Sequence, residues 1–225
     1  MDYANIKTGW FIDRPNRFIA NVEVDGKIEV CHVKNTGRST EIFLPGAKAF
    51  VQECNGSHRK TQFDLISVYK GDRLINVDSQ VPNKVFHEWV RSGNLFSKDA
   101  VIKPEAKYGN SRFDFYIEDG NRKIFVEVKG VTLEFDGHAF FPDTPTERGV
   151  KHVDTLCACL QAGYDAYIVF IIKMKGVHSF SPNATKHPAF ADALHEAMRR
   201  GVKVLALDCV VTPNSIIADE FVKIV

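Results

Sequence analysis

The chain has no apolar run long enough to cross a membrane. Its longest, ending at Ile172, covers only a few residues, whereas a helical span needs roughly 20. The first ten residues, MDYANIKTGW, lack the apolar segment of a secretory signal. The expectation is a cytoplasmic protein without a membrane partner. An excess of charge of either sign is also missing: 29 Lys+Arg stand against 28 Asp+Glu, a net of +1. A polyanionic partner must then be met by a local patch, because no global field exists to attract it. Cysteine is scarce and unpaired. The five, Cys31, Cys54, Cys157, Cys159 and Cys209, are odd in number and irregular in spacing, as in reduced intracellular proteins. Cys157 and Cys159 lie near His152, but positions i and i+2 of a helix point apart, which argues against zinc. Internal repeats and low-complexity segments are absent.

What is present is an ordinary globular composition, 44% hydrophobic and 25% charged over 225 residues, with room for a substantial core. Residues 1–80 read as all-β. Arg17 to Val24 alternates, with Phe18, Ala20, Val22 and Val24 on one face. Asp25-Gly26 marks a hairpin, and Lys27 to Val33 alternates again. Lys48 to Cys54 and Asp64 to Tyr69 add strands, which suggests a small OB-like β-barrel. Residues 81–225 read as mixed α/β. Asn83 is placed to cap a first helix ending at Gly93. A strand follows near Ala100 to Lys107, then a hairpin, then a loop from Thr132 to Thr146. Thr146 caps a second helix with Val150, Val153, Cys157 and Leu160 inward. Tyr167 to Met174, almost wholly apolar, reads as a strand covered on both faces. A third helix from Pro188 turns Phe190, Leu194, Ala197 and Met198 inward and stops at Gly201, before a buried strand from Val202 to Val211. The strand–helix–strand order implies parallel crossovers.

The hairpin carries the chemistry. Arg112 to Glu118 and Lys123 to Lys129 both alternate, and Gly120-Asn121 is a two-residue turn signal. Counting back from that turn sets Asp114 opposite Glu127 and Arg112 opposite Lys129, on one face. Two carboxylates that close can hold Mg²⁺ or Mn²⁺, with the Val128 carbonyl as a further ligand. Lys129 beside them can orient water or offset negative charge. This is the D…(D/E)-x-K layout of metal-dependent phosphodiester hydrolysis, and the α-β-β-β-α-β order around it is that of the PD-(D/E)xK nucleases. Glu88, on the first helix, is a candidate third acid for the metal. Candidate nucleic-acid contacts are Lys34, Asn35, Thr36 and Arg38 in one barrel loop, Arg59 and Lys60 in another, Arg112 on the hairpin, and Arg148 and Lys151 at a helix start.

The chain also resembles the sugar fermentation stimulation protein A family over nearly all its length. The segments that carry the likeness are His32-Val33-Lys34-Asn35-Thr36-Gly37-Arg38, Asn76 to Asn83, Lys107-Tyr108-Gly109, Val126 to Leu133, Phe141-Pro142-Asp143 and Glu147 to His152. The resemblance implies a prokaryotic cytoplasmic DNA-binding protein with an OB-like first domain and a nuclease-like second one. DNA is thus the partner the resemblance implies, the same chemistry leaves RNA as a second possibility, and no residues point to a sugar site. The reading is a DNA-binding protein with a metal-dependent nuclease site. The alternative is a non-catalytic DNA-binding regulator linked to sugar metabolism.

Overall fold

The computed structural model describes residues 1–225 except Thr36, Ser57 and His58. The first unit is built from β1 (Ile6–Asn16), β2 (Ile19–Val24), β3 (Lys27–Val33), β4 (Lys48–Glu53), β5 (Phe63–Lys70) and β6 (Arg73–Asn76). Their order is β3-β2-β1-β4-β5-β6, and a parallel β3–β5 pairing closes five of them into a barrel. Asp25 and Gly26 both have positive φ, as a type I′ hairpin requires, and they set Val24 opposite Lys27. Ala20, Val22 and Val24 fill the interior as the alternation predicts. Phe18 does not: it precedes β2 and is 45% exposed. The long β1 bends to serve both β2 and β4. Gly9 lies in the bend, where a Cβ would come within 2.6 Å of the Glu23 carbonyl.

The second unit comprises α1 (Val81–Arg91), β7 (Val101–Tyr108), β8 (Ser111–Asp119), β9 (Arg122–Val131), β10 (Leu133–Phe135), β11 (His138–Phe141), α2 (Glu147–Gln161), β12 (Asp165–Ile172), β13 (Ser179–Pro182), α3 (Pro188–Arg200), β14 (Lys203–Thr212), β15 (Ser215–Phe221) and β16 (Lys223–Ile224). The main sheet runs β15-β14-β12-β9-β8-β7. Its central strands β9, β12 and β14 are parallel, and β7, β8 and β15 are antiparallel to their neighbours. The apolar faces of α1 and of α2 with α3 cover opposite sides of this sheet. Thr146 caps α2 by accepting from Gly149 N–H at 3.0 Å, and Gly201 ends α3 at φ 103°.

Three expectations change. Asn83 lies inside α1, whose N-cap is Gln80. Met198 is 40% exposed on α3. The loop expected over Thr132 to Thr146 holds the β10–β11 hairpin, which joins β13 and β16 in a small second sheet. The two units also share apolar contact. One buried cluster runs from Phe11, Val22 and Leu65 of the barrel to Phe113, Phe170 and Phe190 of the second unit. The first residues belong to the far sheet, with Tyr3 N–H donating to the Asn214 carbonyl at 2.8 Å.

Candidate metal centre and the groove beside it

The β8–β9 ladder runs from Asp119↔Arg122 to Phe115↔Val126 as the turn predicts. Gly120 takes φ 60° at its tip. The recorded pairing ends there, one residue short of Asp114. Next door, Glu105 of β7 has φ 55° and is skipped between the pairs Pro104↔Phe115 and Ala106↔Phe113. The register is the same before and after it, so Glu105 stands opposite Asp114 with no residue inserted, and regular pairing is interrupted there. The packing faces change across Asp114. Phe115 packs on Phe86 of α1, whereas Phe113 packs on Phe125 and on His152 of α2. In a flat strand both would share one face. Arg112 pairs with Lys107 and forms an exposed ion pair with Glu105, so its opposition to Lys129 is not among the recorded pairs.

Asp114 sits at this twist. Its Oδ2 accepts the Val128 N–H at 2.7 Å and its Oδ1 accepts from Asn83 Nδ2 at 2.8 Å. Burial, followed by the charge of Glu127, raises its pKa above the usual carboxylate range despite those two donors and Lys129. Glu127 is 3% exposed. Burial works against its charge, yet the combined pull of His152 and Lys129 wins and its pKa is lowered. Of the two neighbouring acids, Glu127 keeps its charge more readily and Asp114 yields, as expected for close carboxylates. Lys129 Nζ donates to Glu127 Oε1 at 2.6 Å, and His152 Nδ1 meets the same oxygen at 2.5 Å. Glu127 Oε2 is buried and has no hydrogen-bond partner among the described residues. A buried carboxylate oxygen is costly to leave unpaired. With Asp114 beside it, this oxygen can serve as a ligand to a hard cation.

The other predicted residues divide. Glu88 is exposed and its carboxylate pairs with the Met1 amino terminus; the α1 side chain that reaches Asp114 is Asn83. Val128 meets Asp114 through its N–H. Lys34 lies between Asp64 and Asp78, at 3.0 and 3.4 Å. Arg59 pairs with Asp64 too. Both cations are neutralised within the barrel. Arg38, Lys60, Arg148 and Lys151 are exposed, with Lys151 donating to the Asn110 carbonyl at 3.4 Å. Thr36 lies outside the described residues.

A groove of about 920 Å³ opens where the barrel meets the second unit, lined on the β9 side by Gly130 and Val131. Asn35, Gly37, Arg38, Arg14, Arg17, Asp143 and Lys173 are among its lining. Arg14 shapes this rim. Its guanidinium donates to the carbonyls of Asn35, Gly37, Arg38 and Arg17, the last three at 2.7–2.8 Å. Neither Arg14 nor Lys173 stood out in the sequence, since neither falls in a motif. A separate acidic group, Asp208, Asp219 and Glu220, converges on Lys175 at 2.7–3.1 Å. That ammonium supplies the positive charge the three acids need.

A family model described as the sugar fermentation stimulation protein RE domain matches residues 80–215, and one described as the SfsA N-terminal OB domain matches residues 12–77. The chain belongs to the sugar fermentation stimulation protein family. Relatives named sugar fermentation stimulation protein homolog are similar over its whole length. The one from Desulfitobacterium hafniense strain DCB-2 is 60% identical, covering 100% of this chain and 98% of the relative. That from Clostridium beijerinckii is 56% identical, covering 100% of both. Among solved structures, Pyrococcus furiosus SfsA in complex with Ca²⁺ matches with a TM-score of 0.88 at 29% identity. That match covers 100% of this chain and 97% of the other. The OB barrel and the mixed-sheet domain of the family are thus both present.

Proposed function

We propose that this protein binds nucleic acid, DNA in the first place, and hydrolyses phosphodiester bonds at a site of the PD-(D/E)xK type. The observation that carries the reading is Glu127 Oε2, a buried carboxylate oxygen without a partner among the described residues, beside a second, half-buried acid, Asp114. Asp114 and Glu127 would hold Mg²⁺ or Mn²⁺, and the Ca²⁺ bound by the Pyrococcus relative supports a hard-cation site in this fold. When bound, such a cation polarises a phosphate oxygen and makes a coordinated water more acidic. Lys129 contributes the positive charge that orients the attacking water or offsets charge on phosphorus. Asn83 and the Val128 N–H fix Asp114. Arg38, Lys60, Arg148 and Lys151 are the exposed cations available to the phosphate backbone, in place of the paired Lys34 and Arg59.

The test is cleavage of single-stranded, double-stranded and branched DNA and of RNA, with Mg²⁺ or Mn²⁺. The expected result is cleavage by the wild type that falls at least about a hundredfold in Glu127→Ala, with nucleic-acid binding retained. Cleavage that survives in Glu127→Ala is contamination and sinks the nuclease reading. Binding without metal-dependent cleavage of any substrate favours the regulator instead.

A further inference from the structure

His152 lies on α2, 5% exposed, with its ring edge toward Phe113. Each of its nitrogens has one neighbour. Nδ1 is 2.5 Å from Glu127 Oε1, and Nε2 is 3.4 Å from Arg148 Nε. The arginine Nε–H is a donor and never an acceptor, so Nε2 must present its lone pair. The carboxylate oxygen is an acceptor, so Nδ1 must carry the proton. A proton on Nδ1 with the Nε2 lone pair toward Arg148 satisfies both contacts. Two donors, His152 Nδ1–H and Lys129 Nζ, therefore converge on one oxygen of Glu127. Its other oxygen has none. Two donors on Oε1 restrict the rotation of the carboxylate and leave Oε2 as the oxygen available to a ligand.

We infer that His152 is a positioning residue for Glu127. Arg148 fixes its tautomer, the imidazole pins Oε1, and Oε2 is thereby presented as the metal-facing ligand. The inference rests on the metal reading of Asp114 and Glu127. It gives Arg148 a second role. The Arg148 side chain is exposed, so its terminal nitrogens can face a phosphate while Nε holds the ring.

Mn²⁺ binding to the full chain, measured by calorimetry, tests this with three substitutions. His152→Leu fills the space but cannot donate. His152→Asn places an amide N–H close to the position of Nδ1, and His152→Gln places one nearer Nε2. Losing an outer partner of a ligand costs about 10–100-fold in metal affinity. That loss is expected for His152→Leu and His152→Gln, with His152→Asn within about threefold of wild type. Equal Mn²⁺ affinity in wild type and His152→Leu overturns the inference while leaving the metal site standing. Absence of Mn²⁺ binding in wild type overturns the metal reading itself. A measurement on the metal-free wild type needs no variant to fold. Long-range ¹H–¹⁵N correlation of the histidine rings is expected to place a proton on His152 Nδ1. A ring protonated at Nε2 only overturns the proposal whatever the metal does.

Discussion

Lys173 follows the end of β12 with its side chain enclosed, and its ammonium donates to the Asp78 carbonyl at 3.0 Å. Burial dominates and pushes its pKa from 10.5 down to about 8, although Asp78, Cys209 and Asp143 pull the other way. A base whose folded pKa is lowered binds its proton less readily when folded. The resulting penalty is complete below about pH 8 and disappears as pH rises through 10.5. A shift of that size corresponds to about 3 kcal/mol. Lys173→Met, which removes the charge and keeps the length, is expected to stabilise the protein at pH 7 by about 2 kcal/mol, after allowing for one lost hydrogen bond. The gain should shrink toward zero or reverse near pH 10.5. Urea unfolding at both pH values decides this; a gain independent of pH means the amine is not what folding penalises. No pattern in the sequence marks this lysine, because it stands alone at the end of an apolar run. Asp114, Glu127 and Lys129 were legible as an alternating pattern with a turn between. Asn83 was read as a cap, since its actual partner lies 31 positions away and only packing brings them together.

At the scale of elements, the β10–β11 hairpin is tied to the barrel through one carboxylate. Glu134 is buried, and Lys70 Nζ donates to its Oε2 at 2.9 Å while Arg73 pairs with its Oε1. Burial opposes its charge but is outweighed by the Gly137 N–H, Arg73 and Lys70, which hold its pKa down at about 2. A depressed carboxylate contributes stability that is present above its ordinary value and lost as pH falls from 4.5 toward 2. Glu134→Gln leaves two cations without their counter-charge and is expected to cost about 2–3 kcal/mol at pH 7. Thermal melts should show the mutant and wild type converging as pH is lowered to 3. A gap that persists unchanged would mean that the carboxylate contributes by shape alone. Only a loop is expected here from the sequence, although it held a signal for the hairpin: Asp136 and Gly137, between Phe135 and His138, both adopt positive φ, as an Asp-Gly turn does. What the sequence pattern could not convey was the twist at Asp114. It coincides with the left-handed Glu105 opposite on the neighbouring strand, and alternation within β8 is blind to it.

For the whole molecule, the change of texture near residue 80 divides the chain into β-only and mixed parts, and the two family models meet there as well. The core does not divide. Its larger cluster contains residues of both parts. Asn76 N–H donates to the Lys173 carbonyl at 2.9 Å, and Asn76 Nδ2 donates to the hydroxyl of Tyr3 at 3.0 Å. Tyr3, from the chain's start, lies beside β15 at the edge of the main sheet. A continuous apolar core favours cooperative unfolding, so barrel and sheet should lose structure together. The two tryptophans report on one part each: Trp10 is on β1 and Trp89 on α1. Trp10→Phe and Trp89→Phe, each followed by the fluorescence of the remaining indole in urea, are expected to keep one common midpoint with circular dichroism. Tyr3→Ala, which removes a buried ring from the seam, should cost about 3 kcal/mol and move both indole transitions by the same amount. If the Trp10 signal melts apart from the Trp89 signal, or if Tyr3→Ala shifts only one of them, the barrel and the sheet are separate folding units that merely touch.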